Sequence, residues 1–257
     1  MRIVNLFSGS SGNCTYIKCG GAELLIDAGG SAKRIADGLR LIGTGPENID
    51  AVFVTHEHSD HISALRVLDK KYGIPVYISL KSALAAGVYS VVDCDRLMYR
   101  DGVFSVAVKG ALVTGFIVPH DSAYCYGFTV CGDGHRAAVV TDIGRVTDQV
   151  ADELCGCDVA VIEANHDTDM LKRGSYPPDL KRRILSDTGH LSNGDCGKIA
   201  CRMAENGLTA LMLAHLSEEN NEPDRALDTV RAHLCGVRSD VKIVAASRYE
   251  ITELIND

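Results

Sequence analysis

Three of the chain's nine histidines fall within six positions, in the run VTHEHSDH from Val54 to His61. Imidazole nitrogens beside carboxylate oxygens suit zinc, iron or manganese better than magnesium or calcium. Along extended backbone, side chains at i and i+2 point the same way, so His56 and His58 reach one ion together. The turn into a helix at Ser59 or Asp60 then offers Asp60 and His61 to a second point nearby. Other ligand types stand where apolar runs stop: His120 after GFIVP, Asp142 after AAVVT and His215 after LMLA. One histidine at a strand end carries no information. Three such ends together with the dense motif predict a centre for two divalent ions.

Positioning these groups needs strands that end at one place. RIVNLF, CTYIKCG and AELLIDAG read as short strands separated by Gly/Ser turns, and DAVFVTH as a buried strand leading into the histidine motif. Apolar residues at helical spacing predict helices over SAKRIADGLRLIG and SDHISALRVLDKKYG, and a further helix is assigned to KSALAAGVYSVV. The stretch from Arg96 to Val140 is β-rich. Beyond it HRAAVVTD, DVAVIEAN, LTALMLAH and VKIVAAS read as strands, alternating with helices that carry Val150 and Leu154, DCGKIACRMAENG, and PDRALDTVRAHLCG. Residues 167–193 read as the one long irregular segment, the kind from which lids are built. Mixed strands and helices without a Pro/Gly/Ser linker or a repeat predict one α/β domain over residues 1–257.

Composition removes several function classes. A net charge of −8 argues against a surface coated with basic residues for nucleic acid, although it leaves room for a local positive site at bound metal. No apolar run approaches the roughly 20 residues of a membrane span. The opening MRIVNLFSGSSGN does not read as an export signal. Ten cysteines without a C-x-x-C pair then read as reduced thiols, mostly core residues, in a cytoplasmic protein. Cys155-Gly-Cys157 is a weak metal signal, and His135 and His233 look incidental.

Together these residues resemble the metallo-β-lactamase superfamily, through its H-x-H-x-D-H signature at His56, His58, Asp60 and His61 and the later His120, Asp142 and His215 in the same order. The resemblance implies an αβ/βα sandwich, two facing mixed β-sheets flanked by helices. It also implies ligand roles: His56, His58 and His120 for one metal, Asp60, His61 and His215 for the other, and Asp142 bridging both. Glu is the residue that diiron redox relatives carry where this chain has His58, which disfavours oxygen chemistry. SGSSGNC, EANHD, GHLSN and HLSEENN narrow the resemblance to the YycJ (WalJ) branch, whose members resemble phosphodiesterases and are associated with 5′→3′ exonuclease action on DNA. EANHD in place of ESNHD, and TDIG in place of G-D-T, are departures that remove no ligand.

Within those stretches, Ser10, Ser11 and Asn13 sit in a loop that either joins a hairpin or presents N–H groups to a phosphate. His166 and Asp167 either cap the next helix or meet substrate. Ser192 and Asn193 are further substrate candidates. Asp60, His190 and Asp27 are the expected catalytic group: His190 as phosphate contact or general acid, and Asp27 as a carboxylate fixing a ligand histidine unless it is only a turn residue. The expected activity is metal-assisted phosphodiester hydrolysis, most simply a 5′→3′ DNA exonuclease using two zinc or manganese ions, with iron also compatible. A carbonyl hydrolase (thioesterase or lactonase) shares the ligand set and is the alternative.

Overall fold

The computed structural model describes residues 1–238 and 240–255. Among these, fourteen strands form two seven-stranded sheets. The first contains β1 (Arg2–Phe7), β2 (Cys14–Cys19), β3 (Ala22–Ile26), β4 (Ala51–Phe53), β5 (Val76–Ile78) and β6 (Leu97–Tyr99). The second contains β7 (Phe104–Val108), β8 (Ala111–Ile117), β9 (Tyr126–Gly132), β10 (His135–Val140), β11 (Val159–Glu163), β12 (Ala210–Ala214) and β13 (Lys242–Ala245), while β14 (Thr252–Ile255) returns to pair with β1 in the first. Both sheets are mixed. Hairpin connections make β1, β2 and β3 antiparallel, whereas β3 to β6 are parallel. In the second, β7 to β10 are antiparallel and β10 to β13 parallel.

Strand alternation sends successive side chains to opposite faces. Ile3, Ile17, Leu24 and Phe53 of the first sheet meet Val113, Phe128, Val139 and Met212 of the second in a core between the sheets. Phe53 and Phe128 touch edge-on across it, ring centroids 5.7 Å apart. The opposite faces are covered by helices. Val4, Leu6 and Val52 pack against α1 (Ala32–Leu41) and, past the one-turn α2 (Ser59–Ile62), against α3 (Leu65–Tyr72). The short α4 (Leu80–Ala85) lies on the same side through Ala83. On the other sheet α5 (Asp148–Leu154) covers Val140 and Ile162; beyond α6 (Thr168–Arg173) and α7 (Pro178–Ile184), α8 (Asn193–Glu205) and α9 (Pro223–Leu234) complete the layer. This is the αβ/βα sandwich expected.

Three local expectations are corrected. The helix after the histidine motif is two, α2 and α3, because the carbonyls that would continue it are taken from outside: Asn13 N–H donates to Asp60 O and Ala28 N–H to His61 O, both at 2.8 Å. The helix assigned to 81–92 stops at Ala85, where Gly87 adopts a left-handed φ of 65°, and resumes only as a 3₁₀ turn, Val88–Ser90. Residues 167–193 are not irregular throughout. They hold α6 and α7, the first capped by Asp167 and the second opened by Pro178, with Pro177 as its cap.

Candidate metal centre

The site lies where strands of both sheets end. His56 follows β4 and His120 follows β8; Asp142 follows β10, Glu163 is the last residue of β11, and His215 directly follows β12. Among the described residues five non-glycine residues have left-handed φ, and three of them are Asp27 (64°), Asp142 (56°) and His215 (54°). Such backbone costs a residue with a Cβ about 1–2 kcal/mol, and its concentration where strands of both sheets end points to a candidate site.

His56, His58 and His120 bring one ligand nitrogen each to within 4.8 Å of one another; Asp60, His61 and His215 form a second such group. Asp142 lies between them. Its carboxylate stands 3.2 Å from His61 Nε2, 3.4 Å from His215 Nδ1 and 3.8 Å from His120 Nε2. The tautomers are set from outside. Asp27 Oδ2 takes His61 Nδ1 at 2.8 Å, Thr55 Oγ1 faces His56 Nδ1 at 2.9 Å, Gly189 O faces His120 Nδ1 at 3.2 Å and Glu163 Oε1 takes His215 Nδ1 at 2.7 Å. Each of these four imidazoles thus has Nδ1 engaged from outside, and the Nε2 atoms of His56, His61 and His120 face other candidate ligands (His58, Asp60 and Asp142), the arrangement of metal-ligating histidines backed by carboxylates and carbonyls. His120 Nε2 and Asp142 Oδ2 are buried with no hydrogen-bond partner. Unpartnered buried polar atoms are costly, and these fit a cation. Burial also pulls the pKa of His56 and of His120 down, keeping both neutral and able to donate a lone pair.

Asp27 was expected among the catalytic group; its oxygens are occupied by Thr55 N–H at 2.8 Å, the Thr55 hydroxyl and His61. It positions His61. The Gly/Ser loop joins β1 to β2 and also supports the centre: Asn13 Nδ2 donates to Asp60 Oδ2 at 3.2 Å and lies 3.0 Å from His61 Nε2. Gly29 allows this approach, since a Cβ there would fall 1.7 Å from Asp60 O. Ser10 and Ser11 are exposed at the tip of the loop.

His190 stands beside the two groups, its ring centroid 5.3 Å from those of both His120 and His215. Glu163, which the sequence reading did not single out, holds it: Oε1 accepts from His190 Nδ1 at 2.9 Å and Oε2 accepts from Ile143 and Leu191 N–H. Burial pulls the His190 pKa down, but the adjoining Glu163 carboxylate outweighs this and holds it at about 9. The same contacts overcome burial at Glu163 and bring its pKa to about 2. The available signal was an acid closing an apolar strand, as at Asp142.

Three of the remaining candidates, Ser192, Asn193 and Asp167, make hydrogen bonds within the fold. Ser192 caps α8 by accepting from Asp195 N–H at 3.1 Å, and Asn193 exchanges amide hydrogen bonds with Asn221. The buried His166 ring has no hydrogen-bond partner, and burial holds its pKa down. Asp167 Oδ1 accepts from the N–H groups of Asp169 and Met170, capping α6. Asp167→Ala is therefore expected to lower stability by about 1 kcal/mol, read as a reduced denaturant midpoint; an intact midpoint with weakened DNA binding would instead make it a substrate contact. Of the incidental histidines, His135 opens β10 and pairs with Asp158, and His233 lies on α9.

A model of the beta-lactamase superfamily domain matches residues 23–215. The chain is 37% identical over 256 residues to a protein of Streptococcus pneumoniae named exodeoxyribonuclease WalJ, covering 97% of this chain and 95% of that one. It is 35% identical over 224 residues to exodeoxyribonuclease YycJ of Bacillus anthracis, covering 86% and 84%. Among solved structures, the metallo-beta-lactamase fold protein YhfI from Bacillus subtilis superposes with a TM-score of 0.74 at 18% identity over 98% of both chains, a likeness of fold. Sandwich, strand-end histidines and whole-length identity agree: the chain belongs to the metallo-β-lactamase superfamily, in its YycJ/WalJ-like branch.

Proposed function

We propose that this metal-dependent hydrolase is a dinuclear phosphodiesterase acting as a 5′→3′ exonuclease on DNA. The observation that carries the proposal is the His190–Glu163 pair set against two ligand triads that share Asp142. His56, His58 and His120 would hold one ion, Asp60, His61 and His215 the other, and Asp142 both, with zinc or manganese the best match and iron compatible. Two bound ions supply a water of lowered pKa and positive charge against the non-bridging oxygens of a phosphate. The protein's own groups do the rest. Asp27, Thr55, Gly189 and Glu163 fix the histidine rings, Asn13 steadies Asp60, and His190, kept protonated by Glu163, donates its proton to the leaving oxygen. The names of the two relatives support DNA as substrate and an exonuclease mode. All ten cysteines are free, and no helix among the described residues is long and apolar enough to cross a membrane, which supports a cytoplasmic placement.

The test is digestion of end-labelled DNA and RNA by protein loaded with manganese or zinc, alongside hydrolysis of bis(p-nitrophenyl) phosphate and a thioester. Stepwise loss of the 5′ label from DNA, with turnover of the phosphodiester and not of the thioester, is expected. Thioester or lactone turnover without phosphodiester cleavage would move the chain to the carbonyl hydrolases.

A further inference from the structure

A cavity of about 340 Å³ opens beside the candidate centre, lined by His190 and His215 and by Tyr176, Leu180 and Ile184. The last three belong to the α6–α7 arm. Its linker is pinned. Ser175 Oγ donates to Glu219 at 3.2 Å, Lys181 Nζ donates to Gly174 O at 2.7 Å, and a Cβ on Gly174 would fall 2.5 Å from Asn220 Oδ1. Arg183 of α7 pairs with Asp121, the neighbour of His120, so the arm is also tied to the metal-side loop. Tyr176 is therefore held on a fixed backbone, half-buried, with no ring contact to another aromatic side chain among the described residues. The cavity is at the low end of the roughly 300–1,000 Å³ of small-molecule sites. It has room for one nucleotide unit.

We infer that Tyr176 is a base-stacking platform: the terminal, unpaired base of a nucleic-acid strand lies on its ring, placing the adjoining phosphate at the centre beside His190. This rests on the phosphodiesterase reading and adds that the strand end is bound as a single unpaired nucleotide. The wall fits a base better than a phosphate. Tyr176, Leu180 and Ile184 offer apolar area, to which a base presents a flat π-face, while Arg183 of the same arm, which also lines the cavity, is paired with Asp121. Stacking on an aromatic side chain is tolerant of base identity, so Tyr176 would favour unpaired ends without reading sequence.

The experiment compares wild type, Tyr176→Ala and Tyr176→Phe on a single-stranded oligonucleotide and on the same strand with an abasic terminal nucleotide. Tyr176→Ala is expected to raise KM for the normal strand by about 5- to 150-fold. Tyr176→Phe should restore it. Wild type should lose a similar factor on the abasic strand, and Tyr176→Ala nothing further, because ring and base are one interaction. Equal KM values for Tyr176→Ala and wild type, or equal losses on both strands, would overturn the inference. Anisotropy of a labelled oligonucleotide on metal-free protein reads the same factor without cleavage. Wild type that binds with the Tyr176 dependence but cuts no phosphodiester would sink the functional reading alone; wild type that neither binds nor cuts would sink both.

Discussion

Asp142→Asn should leave the fold standing and remove one ion from the centre, with a loss of hydrolysis of at least about 10³-fold. Outer partners of metal ligands typically account for about 10–100-fold, and Asp142 stands closer than that. Its carboxylate lies between His61 and His215 at 3.2 and 3.4 Å, with Oδ2 buried and unpartnered. Removing its charge leaves six donors and no protein anion shared between two ions. Asparagine is the informative substitution, because Asp142 sits at φ 56° and Asn tolerates left-handed backbone. Asp142→Ala should lose the same ion and also some stability, because alanine tolerates left-handed backbone less well than aspartate or asparagine, visible as a lower thermal midpoint. Elemental analysis together with thermal unfolding separates the two effects. Two retained ions in Asp142→Asn would remove the residue from the bridging position.

His190→Ala should do the reverse, keeping both ions while the rate on DNA falls by about 10²–10⁴-fold, the range for a positioned acid or charge-stabilising donor. The ring is held by Glu163, which takes its Nδ1 at 2.9 Å within the cluster of Asp142, Glu163, His190 and His215 and leaves it out of the triads of His56, His58 and His120 and of Asp60, His61 and His215. His215→Ala should lose metal and activity together, since His215 belongs to the triad with Asp60 and His61. Metal content and nuclease rate measured side by side give a different pair of readings for each variant. Should His190→Ala lose an ion while His215→Ala keeps two, the roles are exchanged; a wild-type rate in His190→Ala would make that histidine structural.

The candidate ligands were legible because each is marked locally. Four lie within six consecutive positions, and His120, Asp142 and His215 each follow a run of apolar residues long enough to read as a strand. Glu163 was missed although it too is an acid closing an apolar strand, because its partners His190 and His215 lie 27 and 52 residues away and only the fold brings them together. The break between α2 and α3 has the same origin, since loop N–H groups from Asn13 and Ala28 take the carbonyls of Asp60 and His61. The helices α6 and α7 are six and seven residues long, too short for periodicity to rise above the surrounding polar residues. Asp167 and the Pro177-Pro178 pair were their only markers. Tyr176 carried no signal until the arm was folded against the centre.

A two-ion phosphodiesterase is tested by titrating zinc or manganese into metal-stripped protein, with hydrolysis of end-labelled DNA followed at each addition. Binding is expected to saturate at two ions per chain, with the rate rising only as the second ion enters. Saturation at one ion, or full activity in the metal-stripped protein, would contradict the account.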